Sequence, residues 1–136
     1  MKLPAAHAEF QSLSKQDLHE LADRLLIFDS IAIDYCVEFI IAETKGNWHG
    51  RARAKMCRRL KYCELAKTHR TKLLACILER LRTGRFSEQF KDQIRLALYL
   101  DLQQTHEVCE QALLSPKHYV QRYASWAVAL PYKRET

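Results

Sequence analysis

Apolar residues recur along this chain every three or four positions, which is the spacing of one face of an α-helix. Leu18, Leu21, Leu25 and Phe28 form the first such stripe, and Ser14 with Asp17 three residues on supplies an N-cap and an acidic first turn. The pattern predicts a helix over 15–29. Ser30 is placed to cap a second helix carrying Ile33, Val37, Ile40 and Ile41. That run is β-branched and also suits a strand, but Asp34, Glu38 and Glu43 at helical spacing favour the helix. It ends near the loop Gly46-Asn47-Trp48-His49-Gly50.

From Arg51 to Arg82 the pattern is helical in two pieces. Met56, Leu60 and Cys63 form one stripe, a polar segment around Lys67 to Thr71 interrupts it, and Leu74, Ile77, Leu78 and Leu81 resume it. Gly84 stops this helix, Ser87 is placed to cap the next, and Phe90, Ile94, Ala97 and Leu98 mark the buried side. A helix over 102–114 follows. Ser115-Pro116, an N-cap with proline at the first helical position, starts a last helix running to Leu130, where Pro131 ends it.

The elements add up to an all-α fold of six to seven antiparallel helices. Composition agrees: 136 residues hold only three Gly and three Pro, too few turn formers for a strand-rich chain. With 48% apolar and 28% charged residues, the composition is that of a globular protein. A chain of this length buries roughly two thirds of its unfolded surface, so one helical domain over 1–136 is expected, with 1–13 a loosely ordered N-terminal segment. No apolar run has the length of a signal core or a membrane span, so the expected location is cytoplasmic, with no membrane partner. Five cysteines, Cys36, Cys57, Cys63, Cys76 and Cys109, show no paired spacing and read as free thiols on helix faces.

The last third carries an internal echo. Arg95-Leu96-Ala97-Leu98-Tyr99 and Arg122-Tyr123-Ala124-Ser125-Trp126 share an Arg, an Ala two places on and an aromatic two places beyond, at an offset of 27 residues. The segment Ala112-Leu113-Leu114-Ser115-Pro116 leading into Tyr119-Val120-Gln121-Arg122-Tyr123-Ala124-Ser125-Trp126-Ala127 resembles the turn and second helix of a HEAT-type repeat. The resemblance covers about the last fifty residues, and the Asp and Val ladder of that family is incomplete here. It implies stacked antiparallel helix pairs with a concave face for partners; a plain helical bundle is the other reading.

Charge is distributed unevenly. Residues 1–44 hold three Lys/Arg against eight Asp/Glu, residues 45–86 hold thirteen against two, and residues 87–136 hold six of each. Projected on a helix, Arg51, Lys55, Arg58, Arg59 and Tyr62 share a sector of about 100°, opposite Met56, Leu60 and Cys63. Such a basic ridge suits phosphate contacts, because cations on one rigid face release counterions together. Arg51 and Arg53 also stand in the first turn of this helix, where cations oppose the dipole, and an anion on the free N–H groups would reverse the sign. Gly50 to Lys55 is thus a candidate phosphate site; Trp48 and His49 in the loop before it either stack on a base or pack onto the fold, and Tyr62 is available to stack.

Other chemistry finds little support. His106-Glu107-Val108-Cys109-Glu110 superficially resembles a zinc-protease helix, but Glu110 replaces the second histidine and leaves at most two ligands on one face. Gly46 and Gly50 lack the lysine and serine/threonine tail of a nucleotide loop. Asp34 and Glu38 share a face but read as solvent-facing or as partners for the basic helix. Tyr119, Tyr123 and Trp126, with Tyr99, read as core more readily than as a binding cage. No catalytic residue, metal or cofactor is expected. Two partner classes remain: nucleic acid, DNA or RNA, contacted by the basic surface 51–85 through Trp48, Arg51, Arg53, Lys55, Arg58, Arg59 and Tyr62, with Lys67, Arg70, Lys72, Arg80, Arg82 and Arg85 extending the positive zone; or an acidic or amphipathic protein held by a concave helical surface. The latter includes a homodimer that pairs the acidic and basic thirds.

Overall fold

The computed structural model describes residues 7–87 and 89–131, and among these residues all regular structure is helical. Eight α-helices occur there: α1 (His7–Gln11), α2 (Lys15–Arg24), α3 (Ser30–Ala42), α4 (His49–Leu60), α5 (Lys67–Thr83), α6 (Lys91–Leu100), α7 (Leu102–Ala112) and α8 (His118–Ala129). A 3-10 turn, Leu25–Ile27, follows α2. Of the segment expected to be loose, residues 1–6 lie outside the described part. From His7 the chain is helical, and Phe10 is buried edge-on against Tyr35.

Capping chemistry explains most boundaries. Ser14 and Asp17 form the reciprocal box that starts α2. That helix stops at Arg24 rather than 29, because Phe28 turns left-handed at φ 58°, Asp29 N–H reaches back to the Arg24 carbonyl, and the Asp29 carboxylate caps α3 in place of Ser30. Phe28, assigned to the apolar stripe by its spacing, is 62% exposed as a result. Ser87 does not cap α6: Phe86 stacks on Phe90 with ring centroids 4.1 Å apart, which holds the segment before Lys91 out of the helix. The break between the two basic helices falls at 61–66, one turn before the polar segment, and Ser115-Pro116 precedes α8 by two residues instead of opening it.

Most helices pack on the next helix and on the next but one. α2 and α4 run the same way, since Lys15, His19 and Asp23 meet Trp48, Lys55 and Arg59 in order. α3 and α5 do likewise through Asp34 with His69, Glu38 with Lys72, and Ile41 with Arg80. α8 lies against α6 as well, with Trp126 beside Lys91 and Arg95. Side-chain hydrogen bonds between α3 and α5 join residues 34 to 39 apart. The 27-residue echo falls short of that spacing, and Arg95 of its first copy lies over Trp126 of its second, the guanidinium 5.0 Å from the ring centroid.

The core threads through α2 to α8, with Phe39, Ile40, Met56, Leu60, Leu73, Ile77, Leu81 and Phe90 fully buried. A polar knot sits inside it. Arg80 ion-pairs with Glu43 at 2.6 Å, donates to Gln93 Oε1 at 2.9 Å and donates to the Ile41 carbonyl at 2.7 Å. These bonds fix the end of α3, where Glu43 is left-handed at φ 47°, against α5 and α6.

Candidate nucleic-acid interface

Trp48 organises the surface. It is the N-cap of α4 in a left-handed conformation, φ 70°, and no side chain caps the helix there. The residue is exposed, with Lys15 Nζ 3.9 Å from the ring centroid and the Arg51 guanidinium 5.0 Å away. Behind it the chain is anchored by His49, which is buried. His49 Nε2 lies 3.0 Å from the Leu13 carbonyl, which only accepts, so this nitrogen donates, and Nδ1 is hydrogen-bonded to the Thr44 hydroxyl.

Two depressions flank α4. A cleft of about 380 Å³ between α2 and α4 is lined by Lys15, Leu18, His19, Ala22, Trp48, Arg51, Ala52, Lys55 and Arg58, with no carboxylate among them. A shallower groove of about 420 Å³ towards α6 is lined by Arg51, Ala54, Arg58, Gln89, Lys91 and Asp92. Arg51 and Arg58 form the ridge they share. Of the described carboxylates, none pairs with Lys15, Arg51 or Lys55; Lys55 Nζ instead lies 3.5 Å from His19 Nδ1.

The seven residues singled out by sequence therefore divide. Trp48, Arg51, Lys55 and Arg58 are brought together on one face, although Arg58 is held by Asp92 at 2.7 Å. Arg59 leans the other way and pairs with Asp23 at 3.2 Å. Tyr62 is 77% exposed but lies beyond the end of α4, about 18 Å along the axis from its start. Arg53 is corrected outright: it is 2% exposed, donates to the Thr44 carbonyl at 2.7 Å, and covers the Phe39 ring. Burial pulls its pKa down, and the Glu43 carboxylate works against that pull. Its charge in the first turn thus serves the interior, and only Arg51 keeps the place of an anion-facing cation. Lys15, His19, Gln89 and Lys91 join the surface without having been picked out. Lys15, Leu18, His19 and Ala22 do share one helical face, a signal hidden by the acidic total of that third.

The remaining motifs settle into structural places. Asp34 and Glu38 meet His69 and Lys72 of α5 rather than the helix of the basic ridge. Tyr119 donates to the Gly84 carbonyl, where φ is 75° and an added Cβ would strike the tyrosine oxygen, and Tyr123 packs edge-on against Phe86; Tyr99 stays exposed. Cys109 is buried while Glu110 is exposed, and no cluster of three metal-ligating side chains occurs among the described residues. All five cysteines are free thiols, and burial pushes Cys36 up to about 12 and Cys109 up to about 11. No described helix is long and apolar enough to cross a membrane. The chain matches no protein-family model, and no curated protein or solved structure matches it.

Proposed function

We propose that this chain is a non-catalytic helical module that contacts nucleic-acid phosphates with the face formed by α2, α4 and α6. The observation that carries the reading is the pair Arg51 and Lys55, joined by Lys15 around Trp48 and free of carboxylate partners among the described residues. Arg58 adds a weaker contact, because a phosphate there competes with Asp92. Charge and shape dominate this mode of binding, with little reading of base edges. The parallel next-but-one packing supports a short helical-repeat stack of the HEAT-like kind, on which this face spans three neighbouring helices. The buried, unpaired thiols fit a cytoplasmic location.

The test is binding of mixed-sequence DNA and RNA to the full chain over a range of salt. Changing Arg51 and Lys55 together to Glu leaves the buried knot intact and is expected to weaken binding at least ten-fold while flattening the salt dependence. Equal affinity with an unchanged salt slope refutes the reading.

A second reading rests on a different surface. Leu26, Ile27, Phe28 and Ile31 are 59%, 74%, 62% and 46% exposed around the left-handed turn, an apolar run suited to a protein partner. A homodimer built on acidic–basic pairing is less favoured, because Asp23–Arg59 and Glu38–Lys72 use that pairing within the chain.

A further inference from the structure

The cleft between α2 and α4 differs in kind from the open face around it. Its floor is apolar, with Leu18 buried and Ala52 half-buried, while its rim carries Lys15, Arg51 and Lys55, and Trp48 stands at one end. A phosphate alone gains nothing from the floor or the indole. A flat aromatic ring alone gains only weak cation–π attraction from the three cations, which an anion would satisfy far better. The lining therefore suits one ligand with both parts, and about 380 Å³ lies within the range of roughly 300–1,000 Å³ typical of small-ligand sites. In a duplex the faces of the bases are covered by their neighbours, so only an unstacked base presents a ring to this cleft.

The backbone adds an independent reason to look here. Trp48 holds φ 70°, a left-handed conformation that is unfavourable for a residue with a side chain and nearly free for glycine. Strain of this kind collects at binding sites, and here it holds the indole at the mouth of the cleft, with Lys15 Nζ 3.9 Å and the Arg51 guanidinium 5.0 Å from the ring centroid.

We propose that the α2–α4 cleft takes one unstacked nucleotide, its base against Trp48 and its phosphate among Lys15, Arg51 and Lys55. This inference rests on the nucleic-acid reading and narrows it to single strands or free nucleotides. Electrostatic contact alone makes no such distinction.

The experiment compares the full chain binding a labelled single strand of about 12 nucleotides, a length within the usual site sizes, with the same sequence as a duplex. Expected is a single-strand preference of about ten-fold, lost in Trp48→Gly and largely kept in Trp48→Phe, since stacking on one aromatic ring is worth about that factor or more. The glycine variant suits the left-handed backbone, so lost folding does not confuse the result; circular dichroism of each variant checks this. Thymidine monophosphate is then added as competitor, with inorganic phosphate and thymidine as controls. Displacement by the monophosphate alone assigns the cleft to a free nucleotide; no displacement, with the Trp48→Gly loss intact, assigns it to a nucleotide within a strand. Equal affinity for single strand and duplex, unchanged in Trp48→Gly, overturns the cleft while leaving the charged face standing. Failure of both nucleic acids to bind at low salt overturns the underlying reading as well.

Discussion

The α2–α4 pair and the α3–α5 pair both lay a helix from the acidic first third beside one from the basic middle third, yet they leave opposite surfaces. Between α3 and α5 three basic residues meet acids: His69 meets Asp34, Lys72 meets Glu38, and Arg80 meets Glu43 just past the end of α3. Between α2 and α4 only Arg59 does, through Asp23, and at the other end Lys15 and His19 stand beside Trp48 and Lys55. The segment charge is thus a poor map of available charge. What decides is the residue some 34 to 39 positions away across the interface. Exposed pairs contribute only about 0–1 kcal/mol each, so their main effect is on which cations remain open to an outside anion.

The largest expected effect separates the buried end of the α3–α5 pair from its exposed end. Changing Arg80 to Met removes the partner of Glu43, Gln93 and the Ile41 carbonyl at once, and is expected to cost about 3–5 kcal/mol in urea denaturation. Burial already raises the Glu43 carboxyl above its ordinary 4.5, with Arg80 and then Arg53 opposing the rise. A carboxyl raised in the folded state favours folding most when protonated, and that contribution is lost as pH climbs from its unfolded value through its folded one. Without Arg80 the folded value moves higher still. The gap between Arg80→Met and the parent chain should therefore shrink on acidification towards 4.5 and below; a gap that widens there contradicts this account of the knot.

A smaller effect tests the comparison itself. Lys55→Gln and Lys72→Gln remove the same charge from the two helix pairs. If the cleft cations are the available ones, Lys55→Gln lowers the slope of log affinity against log salt by about 0.7–0.9, while Lys72→Gln leaves it unchanged. Equal slopes in the two variants would erase the distinction between the two surfaces.

How far the chain could be read in advance follows the same division. The helices were legible because periodicity and caps are local: the Ser14 box, the Gly84 stop and the stripes of α3 and α6 need only neighbouring residues. Arg51, Lys55 and Trp48 were legible as surface residues for the same reason. Arg53 was not, because a helical wheel places it without knowing that Thr44 and Glu43 offer a carbonyl and a carboxylate in the interior. Lys15 and His19 were hidden by averaging over an acidic third. Phe28 fitted the stripe by spacing alone and was turned outward by the tight connection to α3. The boundary at Ser87 failed because Phe86 stacks on Phe90 ahead of α6, and that at Ser115 because its hydroxyl accepts from the Lys117 N–H in a turn that precedes α8.

The smallest effect isolates helix stability from binding within the α2–α4 pair. α2 begins with a full capping box and α4 with no side-chain cap, although Lys15 and Trp48 at their starts line the same cleft. Ser14→Ala removes the hydroxyl that accepts from Asp17 N–H and is expected to cost about 1 kcal/mol. The Ser14 N–H, and after it the Ser14 hydroxyl, hold the Asp17 carboxyl below its ordinary 3.8. A carboxyl lowered by folding stabilises above its unfolded value and loses that contribution as pH falls through the folded one. The part of the Ser14→Ala cost that acts through the Asp17 carboxylate should then fade in acid while the loss of the acceptor for the Asp17 N–H persists, and affinity for single strands should stay put, because Lys15 keeps its place through Trp48 and not through the cap. A loss of binding in this variant at neutral pH would mean that the order of the first turn of α2, rather than the cations on it, governs the cleft.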